Sequence, residues 1–357
     1  MRTHLRILVL CLCAPILALP VVCAEGNAAI STIDYLSNQN VVTPPSSRDI
    51  EDADSSWRHL RSFLQQPQSD SLAILVKADR ARSFYLTHKK HCQAVEARKL
   101  EALLLLDAVA EGQKSSDLRM QAAVKEFRGD VSIPSSQRAI VAGTYEFQMA
   151  RDRIRSEADL VREYEQVARR LIEEFPDQPQ GYISLLTQSM QRESASALAI
   201  AREVAGSAGP EIVRKQARRL VTRHTLVGQT ITGLVSGSVL GETEIKWQEG
   251  KPGVIYFWAT WNPDSVRFAE MLAARNLEKA NVIGICIDSD LNRAKSAGTE
   301  HKLPGRLIYV CGGLEGDLAD RLGAVEAPAV YLTATDGTIH DVRGLENIEA
   351  KLSRLGL

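Results

Sequence analysis

Between about residues 52 and 223, apolar residues recur three and four positions apart within stretches of Ala, Leu, Arg, Glu and Gln. That spacing aligns them on one face of a helical turn, so it predicts helices. The clearest covers 93–110, where Val95, Leu100, Leu103, Leu104 and Leu106 form a broad apolar face and Gly112 closes the segment. Others are predicted at 56–66, 71–88, 116–127, 136–149 and 158–175, and after the break at Asp177-Gln178-Pro179 they resume at 181–190, 195–204 and 210–225. Paired helices joined by short Gly or Pro turns describe an antiparallel helical array. No strict period of about 34 residues recurs, so the array is repeat-like and not a tetratricopeptide array in the strict sense.

Beyond Leu226 the pattern changes to short apolar runs at 254–258, 282–287, 307–310 and 329–333, with amphipathic helices at 263–276 and 314–322. Strands alternating with helices indicate a mainly parallel sheet covered on both faces. Residues 331–333 and 338–342 flank Asp336-Gly337, whose backbone preferences suit a tight hairpin, and a last helix is predicted at 348–355. Ahead of the helices, Asn38-Gln39-Asn40 and Pro44-Pro45-Ser46-Ser47 interrupt any periodicity. The expected organisation is therefore a signal segment 1–24, a flexible leader 25–50, a helical domain 51–225 and a mixed α/β domain 226–357.

The chain has 357 residues, 45% hydrophobic and 24% charged, which is the balance of a globular protein. Its 43 Lys and Arg nearly cancel 44 Asp and Glu, so no global field would attract nucleic acid or an anionic membrane. Arg2 and Arg6 precede the apolar run 7–22, and Val22-Cys23-Ala24 follows the pattern of a secretory signal cleaved after Ala24. The run holds Pro15 and Pro20 and falls short of the ~20 residues that span a bilayer, and Val22 stands where lipidation of Cys23 calls for a small residue, which makes a lipoprotein the weaker alternative. The expected mature protein is periplasmic or secreted, with no membrane span. Three of the six cysteines remain after processing, Cys92, Cys286 and Cys311, without CxxC spacing, so no disulfide scaffold is expected.

Phe257-Trp258-Ala259-Thr260-Trp261 leads directly into a helix, a strand ends at Ile287-Asp288, and Ala327-Pro328 leads into a strand and the Asp-Gly hairpin. Over roughly the last third of the chain this order resembles the extracytoplasmic thioredoxin-like family of the TlpA and ResA type. The resemblance implies a thioredoxin fold, with a central mixed sheet flanked by helices. The helical array resembles N-terminal halves fused to such domains in bacterial envelope proteins. In that family the aromatic run is followed by Cys-x-x-Cys at a helix start, where the helix dipole activates the first thiol. In this chain the four positions read Asn262-Pro263-Asp264-Ser265. Asn is a preferred N-cap, Pro suits the first turn and Asp264 complements the dipole, so the helix start persists without its redox chemistry. The family's Asp or Asn before the Phe-Trp pair is replaced by Tyr256. Pro328 matches the family's cis-proline, whose preceding residue offers backbone hydrogen bonds to an extended peptide; it could equally do no more than set a tight loop.

No catalytic residue is therefore expected at the positions of the missing pair, Asn262 and Ser265, and no cofactor pattern is present. Trp261, Pro263, Ala327 and Pro328 form the candidate binding set for a protein or peptide partner in the envelope. Against it stands the reading in which Trp261 is simply packed. Cys286 and Cys311 are either small buried residues or a disulfide within the sheet. A rival function uses them, or a partner's thiol, for thiol-disulfide or peroxidase-like chemistry. His88, His91 and Cys92 share helical spacing but lack a fourth ligand, so no metal site is expected. Trp57 and Trp247 are expected in packing roles. Arg214, Lys215, Arg218, Arg219 and Arg223 are expected on a solvated helix face.

Overall fold

The computed structural model describes residues 47–66, 71–190, 194–231, 247–275, 277–310, 312–342, 344–345 and 347–357. The signal segment, residues 25–46 of the leader and Cys311 lie outside them. By compactness the chain divides into 1–133 and 134–357. Residues 47–50, expected in the leader, open the first helix.

The first unit holds α1 (Ser47–Leu64), α2 (Ser71–Thr87), α3 (Ala94–Ala110) and α4 (Asp117–Gly129). Leu60, Phe84 and Ala97 form a core patch against which Trp57, Leu64 and Tyr85 pack. Two charged side chains are buried here, and each is matched by polar partners. Lys77 Nζ donates to the carbonyls of Leu64 (2.8 Å) and Gln66 (2.7 Å), satisfying backbone acceptors that the end of α1 leaves open. Glu101 accepts from Tyr85 (2.6 Å), Arg82 (3.2 Å) and Arg119 (2.9 Å).

The second unit begins with α5 (Ser135–Arg151), α6 (Glu157–Glu174), α7 (Pro179–Met190), α8 (Ser194–Ala205) and α9 (Glu211–Thr225). Ser156 caps α6 through its hydroxyl, which accepts from the Asp159 amide at 3.1 Å. Ala168, Tyr182, Leu185, Ile200, Val213 and Leu220 form part of one shared helical core. A five-stranded sheet follows: β1 (Gly253–Trp258), β2 (Asn281–Cys286), β3 (Arg306–Tyr309), β4 (Val330–Thr333) and β5 (Ile339–Asp341). Its order is β3-β2-β1-β4-β5, with β1, β2 and β3 parallel and β4 and β5 antiparallel. With α10 (Pro263–Ala273), α11 (Leu291–Glu300), α12 (Asp317–Leu322) and α13 (Ile348–Arg354), this is a thioredoxin-fold domain behind a helical array.

Strand alternation explains the two cores. Every residue of β1 is buried. Val254, Tyr256 and Trp258 join Phe268 of α10, Ala294 of α11 and Leu352 of α13 on one face. Ile255 and Phe257 join Leu318 and Leu322 of α12, Tyr331, Leu226 and Ile231 on the other, where Trp247 also packs. Successive side chains point to opposite faces, so a central strand buried on both sides must be apolar throughout.

Two elements differ from expectation. Helix α11 is absent from the sequence reading, because its segment is mostly polar and buries only Ala294 and Gly298; Asp290 starts it by accepting from the amides of Asn292 and Arg293, both at 3.0 Å. The helix expected at 314–322 is instead a 3₁₀ turn, Gly313–Glu315, followed by α12, with extended Gly316 between them.

The basic run of α9 is also placed differently. Arg219 and Arg223 are buried against the sheet domain instead of facing solvent. Arg219 donates to Asp320 (2.6 Å) and Glu315 (3.2 Å), and Arg223 donates to the Val342 carbonyl (2.7 Å). The chain then runs straight into the sheet edge, where Gly228 N donates to Ile339 O and Ile339 N to Gln229 O, both at 2.8 Å.

Candidate functional site

The candidate site lies where β1 ends and α10 begins. Asn262 has extended backbone, and its side-chain oxygen accepts from the amides of Asp264 (3.0 Å) and Ser265 (3.2 Å), with Pro263 in the first turn. This is the N-cap expected from the sequence, and it satisfies donors that a helix start leaves open. The other end of the same amide acts across the fold: Asn262 Nδ2 donates to the carbonyl of Ala327. The Ala327-Pro328 peptide is cis. Two of the positions named from sequence are thereby brought into direct contact.

Ser265 is fully buried. Its single O–H lies within hydrogen-bonding distance of two carbonyls, Asn262 (2.7 Å) and Ala259 (3.1 Å), and its oxygen accepts from the Ala259 amide (3.1 Å). These bonds tie the first helical turn to the end of β1 and leave no exposed nucleophile. Trp261, by contrast, is 57% exposed, and Pro263 is exposed beside it. Asp264 pairs with Arg267 on the solvent side of α10.

Beneath the loop, Asp288 accepts from Thr260 N (2.8 Å) and Thr260 Oγ1 (3.0 Å), holding the aromatic loop to the end of β2. Cys286 Sγ also points to this carboxylate, at 3.4 Å. Burial and the neighbouring negative charge push the Cys286 thiol up to about 12. Cys286 carries a free thiol. Tyr256 is buried and donates to the Pro304 carbonyl at 3.0 Å, and burial raises its phenol above the ordinary range. Asp288 was visible only as a strand-ending landmark. Its role as a loop clamp depends on Thr260, 28 residues away in the chain.

Of the His88, His91 and Cys92 group, His91 is engaged by other partners. His91 Nε2 meets Asp54 at 2.9 Å, its Nδ1 accepts from Gln93 N at 3.2 Å, and its ring packs edge-on to Phe84. Among the described residues no group of three or more His, Cys, Asp and Glu could hold a metal ion, and no helix is long and apolar enough to cross a membrane.

No protein-family model matches the chain, and no curated protein matches it. Solved structures do. A thiol-disulfide oxidoreductase from Bacteroides fragilis is similar at 19% identity, covering 30% of this chain and 82% of that one, with a TM-score of 0.27. StoA from Bacillus subtilis is similar at 15% identity over 34% of this chain and 93% of its own, with a TM-score of 0.27. A secreted disulfide oxidoreductase of Mycobacterium tuberculosis is similar at 20% identity over 30% and 82%, with a TM-score of 0.24.

Proposed function

We propose that this chain is a non-catalytic thioredoxin-fold module of the bacterial cell envelope that binds another protein or a peptide. One observation carries the reading: both positions of the missing redox pair are committed to holding the fold, while Trp261 beside them is exposed. Ser265 is buried with its hydroxyl engaged on three sides, and Asn262 is divided between capping α10 and holding Ala327. Neither can form or open a disulfide. An exposed aromatic ring with Pro263 and Pro328 can supply apolar contact to an extended chain. The Ala327 carbonyl already has a donor in Asn262, so the ring is assigned the larger share of that contact.

The rival, an oxidoreductase using Cys286 and Cys311, requires a nucleophilic thiolate. Cys286 is buried with its thiol pushed up to about 12, which argues against that role near neutral pH. The signal-like segment 1–24, with cleavage after Ala24, supports export to the periplasm or beyond.

Two measurements on the mature chain test the proposal. Insulin reduction and peroxide turnover are expected to be absent; saturable turnover lost on replacing Cys286 or Cys311 would establish the rival. Retention of envelope proteins is expected to weaken in a Trp261→Ala, Pro328→Ala double variant with verified folding. An identical partner set in the variant would remove this face as the binding site.

A further inference from the structure

The segment from Leu322 to Ala329 crosses from α12 to β4, and its upstream half is held by the helical array. Gly323 has φ +64, and a Cβ there would lie 2.2 Å from Arg219 O and 2.5 Å from Arg223 N, so this backbone rests directly on α9. Only glycine fits both the left-handed conformation and the approach. Ala324 turns into the core of the sheet domain, and Val325 turns the other way, packing against the helical core with Ala168, Tyr182 and Leu220. The Glu326 carboxylate faces Arg223 Nη1 at 3.9 Å. Downstream, Ala327 O accepts from Asn262 Nδ2, Pro328 is cis, and Ala329 O rejoins the sheet by accepting from Phe257 N at 2.8 Å.

Arg223 is the common point of this arrangement. Besides facing Glu326, it donates through Nε to the Val342 carbonyl at 2.7 Å, and its guanidinium lies 5.4 Å from the ring centre of Tyr331. Tyr331 in turn donates to Leu322 O at 2.7 Å, at the start of the same segment. A planar, permanently charged group can serve three partners in fixed directions, which a lysine ammonium cannot reproduce.

We infer that the helical array sets the conformation of the Ala327-Pro328 loop, with Arg223 as the positioning residue and Val325 as the apolar anchor. This rests on the proposal that the loop belongs to the binding face, and extends it: the fused helices are a working part of that face. A partner of the thioredoxin-fold domain would therefore bind the whole second unit better than a domain cut free of α9.

The test is amide hydrogen exchange on the full mature chain, which needs no ligand, alongside the retention assay. Arg223→Met and Glu326→Gln should speed exchange across 324–329 by about two- to fivefold, as expected for loss of an ion pair with a partly exposed partner, with β1 and β2 unchanged. Arg223→Lys should fall between wild type and Arg223→Met. If Arg223→Met unfolds the chain, Glu326→Gln decides alone, since Glu326 is 46% exposed and can lose its charge without harm to the core. Unchanged exchange across 324–329 in the folded variants overturns the inference and leaves the binding proposal standing. Faster exchange with unaltered partner retention supports the inference and counts against the loop as a binding element.

Discussion

Asn262 uses one amide for two tasks, and the tasks can be separated. Asn262→Ala removes both and should lower stability by about 0.5–2 kcal/mol through the lost cap alone, measured by urea unfolding. Asn262→Asp keeps the capping oxygen but loses the donor to Ala327, so it should retain most of the helix stability while freeing the loop. An Asp variant as unstable as the Ala variant would place the energy in the Ala327 bond. A second residue-scale prediction concerns His224, which is buried on α9. Desolvation and the adjacent Arg223 charge lower its pKa to about 4, against a smaller pull from Asp341 of β5. Because the unfolded chain binds a proton at about 6.5 and the folded chain does not until about 4, acidification through that window favours unfolding. The stability present at neutral pH should fall between about pH 6.5 and about pH 4, and His224→Gln should flatten the slope of Tm against pH in that range.

Among elements, the pairing of β1 with β2 shows how one substitution requires another. Tyr256 lies opposite Gly284 in the parallel register. A Cβ at Gly284 would meet the Tyr256 ring and hydroxyl at 2.6 Å and the Leu307 side chain at 2.7 Å. The tyrosine therefore occupies space made available by the glycine. Gly284→Ala should destabilise the sheet by about 1–3 kcal/mol, the usual cost of overpacking a core. Combining it with Tyr256→Ala should cost less than the sum of the two single changes, because the pair is in contact; additive effects by urea unfolding would show that the clash is relieved elsewhere. Gly298 of α11 makes a similar close approach, 2.8 Å from Leu307 for an added Cβ. That explains how so polar a helix packs: it approaches through small residues instead of an apolar stripe.

For the whole molecule, the change from helices to strands near Leu226 is not where contact between the two kinds of structure ends. α9 contributes Arg219 and Arg223 to the sheet domain, and 228–231 pairs along β5. A fragment 226–357 would expose Val325, lose the partner of Glu326 and leave the α9-facing side of α12 uncovered. It should aggregate or melt well below a fragment 134–357, which should unfold in one cooperative transition when followed by circular dichroism. Equal melting temperatures would show that α9 adds nothing to the stability of the sheet domain.

Local sequence determined most of the elements, because their causes are local: the three-to-four spacing of apolar residues in the array, the unbroken apolar run of β1, the Asn262-Pro263 helix start and the Asp336-Gly337 turn. It also determined that Asn262 and Ser265 cannot exchange disulfides, since that follows from atom type. Tertiary structure decided what depends on distant partners. Asn262 reaches Ala327, Asp288 clamps Thr260, Tyr256 needs Gly284, and Arg223 meets Glu326 and Tyr331. The basic run of α9 looked like a solvated face because charge pattern alone favours solvent. Burial of Arg219 and Arg223 became possible only when folding brought carboxylates and carbonyls to within hydrogen-bonding distance, the condition under which a charged group can leave water.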